Sequence, residues 1–293
     1  MLDLQVNGAG GFDLTEAPEA LWRVGTALVP FGVTAFLPTL VSPSLDTVRR
    51  AQKVLAGGPP DGYAGANPLG WHVEGPFIAP TRSGAHDPAR LLLPDVELVR
   101  DWSPSSGIRM VTLAPELPGA HDVVRVLVAN GVVVSAGHSA ATFDEAVAGF
   151  DAGIRAVTHL FNAMSPLDHR EPGLAGAALA DDRITIGLIV DGLHVHPGLV
   201  AIIRRAAGAD RLAVVSDAIA ALGMPPGVYR LAGREVVVDE TSARLPNGVL
   251  AGCVIGLDEA VRNLATFVGI SAAEAACAAT VVPARLLGFS QAS

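Results

Sequence analysis

VVVSAGHSAATFDEAVAGFDAGIRAVTH, from Val132 to His159, contains two strand ends and the helix between them. Val132–Ser135 is a short β-branched run, and His138 follows it after Ala136 and Gly137. Phe143–Ala152 has the apolar spacing of a helix, and Gly153 stands where a helix C-cap is expected. Arg155–Val157 reads as the next strand, and His159 follows it as His138 follows the first. Strands joined by a crossover helix run parallel, so polar groups just past their C-terminal ends converge on one face of the sheet.

The same signature recurs along the chain. Glu74 follows LGWHV, His194 follows ITIGLIVDGL, and Asp217 follows LAVVS. Candidate strands are Leu2–Val6, Val33–Leu37, Leu69–Val73, Ile108–Leu113, Val132–Ser135, Arg155–Val157, Ile184–Val190 and Leu212–Val215. Candidate helices are Pro18–Val29, Ser44–Leu55, Asp95–Trp102, Gly119–Asn130, Phe143–Ala152 and Pro197–Ala207, with Gly131, Gly153 and Gly208 just past three of them. Strand–helix alternation repeated eight times predicts an α/β fold, a (β/α)8 TIM-like barrel. An open doubly wound sheet is the alternative. It would carry G-x-G-x-x-G after the first strand, whereas NGAGG at 7–11 has other spacing and leads into FDLT rather than a helix. After the eighth strand, Val228–Leu250 reads as a small β insertion with turns at Ala232-Gly233 and Asn247-Gly248. Helices resume at Leu257–Val268, Ala272–Ala278 and Pro283–Leu287. Neither linker nor repeat interrupts the pattern, so residues 1–293 are expected to form a single domain.

The 293 residues are half apolar and only 17% charged, which supplies a large core, and the formal net charge is −9 with no basic run. That argues against a nucleic-acid or anionic-membrane partner. Cys253 and Cys277 form no C-x-x-C pair, no signal peptide is visible, and no apolar run approaches the ~18 residues of a membrane helix. A soluble cytoplasmic protein is expected.

Glu74, His138 and His159 supply two imidazoles and a carboxylate, a ligand set that leaves a position open for water on a catalytic metal. Zn²⁺ suits these donors best, and Fe²⁺, Mn²⁺ or Co²⁺ also suit them. Asp217 is expected to act as acid and base, the alternative being an N-cap or loop carboxylate. His194 is expected to stabilise an oxyanion, while His196, just ahead of Pro197, belongs to a helix start. His86, in a glycine-containing loop after the third strand, is placed to reach substrate. His72, His121 and His169 are given no catalytic role. Arg170 is the candidate for a phosphate near the active face.

With these residues in place, the chain resembles the N-acetylglucosamine-6-phosphate deacetylases of the amidohydrolase superfamily. The matching segments are DLQVNGAGG, HVEGPFI with GAHD, GHSAAT, THLFNAMSPL with REPG, DGLHVHP, VVSDA, LAG followed by LDEAVRN, and ATVVPARLLG, in that order from residue 3 to residue 288. The resemblance implies one divalent metal on Glu74, His138 and His159, with Asp217 as catalytic acid/base. It implies substrate contacts at Ala85, His86, Asn162, Ala163, Arg170, Asp191 to His194, and Leu250, Ala251 and Gly252. It implies an amino-sugar phosphate substrate and a homodimer in which Arg170 reaches the sugar phosphate in the neighbouring active site.

Three departures stand out. Gln5 and Asn7 occupy the places where many amidohydrolases have H-x-H, so one metal is expected rather than two. The small β-domain that the family builds from both termini is expected to be absent or truncated. Cys253 follows LAG where the family tends to have Ser. The rival readings are another barrel metal hydrolase, a cyclic amidase or deaminase, and an inactive sugar-phosphate-binding relative.

Overall fold

The protein was analysed as a computed structural model, which describes residues 1–289. Eight parallel strands follow one another around a barrel: β1 (Leu2–Val6), β2 (Ala35–Val41), β3 (Trp71–Glu74), β4 (Ile108–Leu113), β5 (Val133–Ala136), β6 (Ala156–Val157), β7 (Thr185–Ile189) and β8 (Leu212–Val215). Each pairs with its successor in sequence. The ring closes between β8 and β1, where Asp217 N donates to Gln5 O at 3.0 Å and Asn7 N donates to Ala218 O at 2.8 Å. The expected barrel is therefore the observed one.

Helices α1 (Leu21–Leu28), α2 (Leu45–Ala56), α3 (Val96–Val99), α4 (Ala120–Ala129), α5 (Phe143–Ala152), α6 (Gly173–Ala180) and α7 (Pro197–Ala207) fill the crossovers, and α8 (Leu257–Val268), α9 (Ala272–Cys277) and α10 (Val281–Leu286) follow β8. Helix α5 matches its expected bounds. Thr142 caps it with a reciprocal Glu145 bond, and Gly153 ends it at φ +131°, a conformation that a β-carbon disfavours. Helix α3 is shorter than expected, a single turn after Asp95.

Two elements correct the sequence reading. The second strand was expected to end at Leu37, ahead of Pro38, but it continues to Val41. Pro38 has no N–H, and it sits opposite Val6 where the β1–β2 register shifts. Val6 N takes the Thr39 hydroxyl at 3.1 Å as its acceptor there. Helix α6 was not expected at all. Its sequence is GLAGAALA, and residues Gly173 to Ala178 are buried, so no polar face marks its period.

The apolar core is divided by the strands. The larger part fills the space between strands and helices, while Leu2, Leu4, Leu37, Met110 and Ala213 fill the barrel interior. Val282 and Leu287, on and just after α10, pack on that interior cluster, and Leu2 N bonds Ala279 O at 2.8 Å. Above β8 the chain makes a three-stranded antiparallel sheet of β9 (Gly227–Leu231), β10 (Arg234–Val238) and β11 (Ala243–Arg244), the expected insertion. Ala232 N donates to Asp13 Oδ2 at 2.9 Å, and Arg234 Nη1 donates to the carbonyls of Ala85 and His86 at 3.2 and 3.0 Å. These bonds tie the insertion to the barrel mouth. Among the described residues no helix is long and apolar enough to cross a membrane.

Candidate active site

Glu74 ends β3, while His138 and His159 each lie two residues past the ends of β5 and β6. All three are buried, at 3%, 5% and 4% exposure. The two His Nε2 atoms lie 3.2 and 3.1 Å from Glu74 Oε1 and 3.1 Å from each other. A tetrahedron with metal–ligand bonds of about 2.0–2.1 Å has edges of roughly 3.3–3.4 Å, so three donors at this spacing fit a shared cation. His138 Nδ1 lies 2.9 Å from the Arg82 carbonyl oxygen, which only accepts. Nδ1 therefore carries the proton, and Nε2 presents its lone pair to the cluster. Burial disfavours the charge on Glu74, but the imidazoles of His138 and His159 beside it hold its pKa well below the usual carboxylate range. Burial likewise opposes the charge on His159, yet the Glu74 carboxylate raises its pKa above the ordinary value.

The backbone under these groups is unusual. Ser42, His138, His159, Phe161, Ala163 and Asp217 all have φ between +30° and +75° and all follow barrel strands. Left-handed backbone is unfavourable for residues with a β-carbon, and such strain collects at functional sites. Asp217, two residues past β8, is 8% exposed, and burial followed by the charge of Glu74 pushes its pKa up to about 6. Asn7 Nδ2 donates to Asp217 Oδ1 at 2.7 Å, and Gln5 Nε2 donates to Glu74 Oε1 at 3.0 Å. The two amides that replace H-x-H thus hold the two carboxylates. His194 Nδ1 donates to Asp191 Oδ2 at 2.6 Å, and Asp191 Oδ1 accepts from Leu193 N and His194 N. Burial opposes ionisation of Asp191, but the His194 side chain and the backbone N–H groups of His194 and Leu193 together outweigh it and bring the pKa to about 2.

No protein-family model matches the chain. An N-acetylglucosamine-6-phosphate deacetylase of Lysinibacillus sphaericus is 40% identical over 90% of this chain and 69% of its own. The Homo sapiens protein of the same name is 39% identical over 98% of this chain and 73% of its own. The solved Thermotoga maritima deacetylase superposes with a TM-score of 0.90 at 31% identity, covering 98% of this chain and 78% of that one. This chain belongs to the N-acetylglucosamine-6-phosphate deacetylase family. An N-acetylgalactosamine-6-phosphate deacetylase of Escherichia coli O157:H7 is also 39% identical, over 98% of this chain and 77% of its own. A Mycobacterium smegmatis deacetylase mutant solved with N-acetyl-D-glucosamine-6-phosphate has a TM-score of 0.90 at 34% identity, over 98% and 77% of the two chains.

In this deacetylase the cluster forms part of a cavity of about 450 Å³. Of the residues expected from sequence, the cavity is lined by Glu74, Ala85, His86, His138, His159, Asn162, Ala163, His194, Asp217, Leu250 and Gly252. Asp191 and Ala251 do not line it, and the Asp191 carboxylate is occupied by His194 and the neighbouring backbone. Arg170 is exposed on the loop between β6 and α6, outside this cavity. His86 is buried, with Nδ1 2.7 Å from Ser42 Oγ and Nε2 3.8 Å from Glu74 Oε2. Burial and then the charge of His138 push its pKa well below the ordinary value. Sequence reasoning missed Ser42, Arg82 and Arg244. Arg82 and Arg244 line the cavity, and Ser42 touches it through His86. Ser42, directly after β2, was hidden by the early end assigned to that strand; Arg82 ends a short helical turn after β3 and Arg244 lies on β11 in the insertion, so neither carries a barrel strand-end signal.

Proposed function

We propose that this protein hydrolyses the N-acetyl group of N-acetylglucosamine 6-phosphate, giving glucosamine 6-phosphate and acetate. The observation that carries the reading is the Glu74–His138–His159 cluster beside Asp217 in one cavity, in a chain of this family. A divalent ion on Glu74, His138 and His159, with Zn²⁺ favoured by the donor set and Fe²⁺, Mn²⁺ or Co²⁺ compatible, supplies Lewis acidity and lowers the pKa of water from about 15.7 toward about 7. Asp217 takes a proton from the attacking water as it adds to the acetyl carbon. Its raised pKa, about 6, suits it to give that proton next to the sugar nitrogen, which leaves as an amine. His194, fixed through Nδ1 by Asp191 and lining the same cavity, is assigned to the developing oxyanion, to which it donates from Nε2 as the doubly protonated ring; such a donor contributes roughly 3–4 kcal/mol in precedents.

Ala85, His86, Asn162, Ala163, Leu250 and Gly252, which line the cavity, shape the sugar site around this chemistry. Arg170 lies exposed and outside its own cavity, which suits a role at the neighbouring site of a homodimer. The reading places the enzyme in the cytoplasm, acting on a small phosphorylated sugar. A second reading, N-acetylgalactosamine 6-phosphate as preferred substrate, draws on the 39% identical relative of that name. Acetate release from both phosphates and from unphosphorylated N-acetylglucosamine, with metal analysis of the same sample, tests both. Metal-loaded protein that releases acetate from none of them would overturn the reading.

A further inference from the structure

Asn7 carries an imbalance that the mechanism above does not use. Its Nδ2 is fixed by Asp217: 2.7 Å from Oδ1 of a carboxylate, only the nitrogen of the amide can face that atom, so the orientation of the group follows from chemistry. The other end, Oδ1, is buried without any hydrogen-bond partner among the described residues. Asn7 is 2% exposed, yet it lines the active-site cavity with Glu74, His159 and Asp217. A buried amide oxygen without a donor is costly, and at a reaction centre such an orphan marks a place where a ligand supplies the missing hydrogen.

We propose that Asn7 Oδ1 accepts a hydrogen bond from the N–H of the scissile amide and from the same nitrogen as it leaves. The proposal rests on the deacetylase reading and adds to it a residue that touches the reacting atoms. The nitrogen that Asp217 protonates must lie within hydrogen-bond reach of that carboxylate. Asn7 presents its two amide atoms from a single carbon, one on Asp217 and one free, so a nitrogen beside Asp217 is offered the free oxygen as well. No bond is made or broken by Asn7. As the acetyl carbon–nitrogen bond breaks and Asp217 delivers its proton, the nitrogen becomes an amine with more N–H to donate, and the bond to Oδ1 strengthens. Asn7 thus recognises an amide against an ester, and it holds Asp217 Oδ1 while leaving Oδ2 to move the proton.

The test compares two substrates and two variants. Asn7→Leu removes both hydrogen bonds, while Asn7→Asp keeps the shape and the acceptor and serves if the Leu variant does not fold. Each is assayed with N-acetylglucosamine 6-phosphate and with the corresponding 2-O-acetyl ester of glucose 6-phosphate, which lacks the N–H. Metal content and thermal midpoint are measured alongside. Expected for Asn7→Leu is a loss of roughly 10²-fold in kcat/KM on the amide, with at least about tenfold less loss on the ester, at unchanged metal content. Asn7→Asp is expected to lose kcat on both substrates through Asp217 while losing no additional amide-over-ester preference. Equal losses on amide and ester in Asn7→Leu would overturn the proposal, since a structural role or a bond to the attacking water predicts that result. If Leu fails to fold, a collapse of the amide preference in Asn7→Asp overturns it. Wild-type protein that releases no acetate from the amide overturns the deacetylase reading and Asn7's role together, a result separate from active wild type with an indifferent Asn7→Leu.

Discussion

The two ends of this barrel are built on opposite principles. At the mouth, the chain turns sharply in left-handed conformations at Ser42, His138, His159 and Asp217, and buries carboxylates and imidazoles against one another. At the base, Leu2, Leu4, Leu37 and Met110 meet Val282 and Leu287 in an apolar plug. The mouth carries strain and buried charge that would destabilise a fold by themselves, and the plug and the helix layer offset them. Substitutions at the mouth should therefore reach activity before stability, and substitutions at the base the reverse.

The sharpest contrast is expected at Glu74. Glu74→Gln keeps the shape of the side chain but removes the anion shared by His138 and His159, so metal is lost and acetate release falls by on the order of 10³-fold or more, with the thermal midpoint little changed. Metal analysis and a turnover assay on the same sample check this. A Glu74→Gln protein with full metal and full turnover would remove the cluster from the chemistry. Asp217→Asn comes next: a loss of about 10²–10⁴ in kcat with metal retained, the range of general acid–base catalysis. Retained kcat there would assign the proton to another group.

At the base, Leu4→Ala should cost about 2–5 kcal/mol of stability, read by urea titration, and leave kcat of the folded fraction near wild type. A large kcat loss at unchanged stability would break the division between the two ends.

Much of this division was legible in the sequence. Glu74, His138, His159 and Asp217 could be read because a parallel strand announces its end with a change from apolar to polar, and because all such ends face one way. The reading failed where that contrast is missing. Helix α6 is buried on every side, so GLAGAALA shows no period. Strand β2 runs through Pro38 because the register shift opposite it removes the need for an N–H. Gln5 and Asn7 were legible as replacements for H-x-H but not as the holders of Glu74 and Asp217, since which amide meets which carboxylate depends on contacts 69 and 210 residues apart in the chain. Arg82 works through its backbone carbonyl, which no side-chain pattern reveals.

Asp3 tests the comparison from inside β1, where one carboxylate sits between the apolar Leu2 and Leu4. It is fully buried; Oδ1 accepts from Gln5 N and Ser216 N at 3.2 Å each, and Oδ2 has no partner among the described residues. Burial raises its pKa from 3.8 to about 7, against the lowering effect of those bonds. The sign follows from linkage: between about pH 4 and pH 7 the folded chain holds a proton on Asp3 that the unfolded chain has released, so stability falls as pH rises through that window, by at most about 1.4 kcal/mol per pH unit, and levels off above it. Asp3→Asn retains an acceptor for both backbone N–H groups and has no proton to lose. The stability of the variant relative to wild type should therefore grow from pH 5 to pH 8 in parallel urea titrations, with kcat much less affected. Parallel pH profiles for the two proteins would mean that the carboxylate is ionised at no cost where it lies, and that β1 tolerates charge below the mouth as readily as at it.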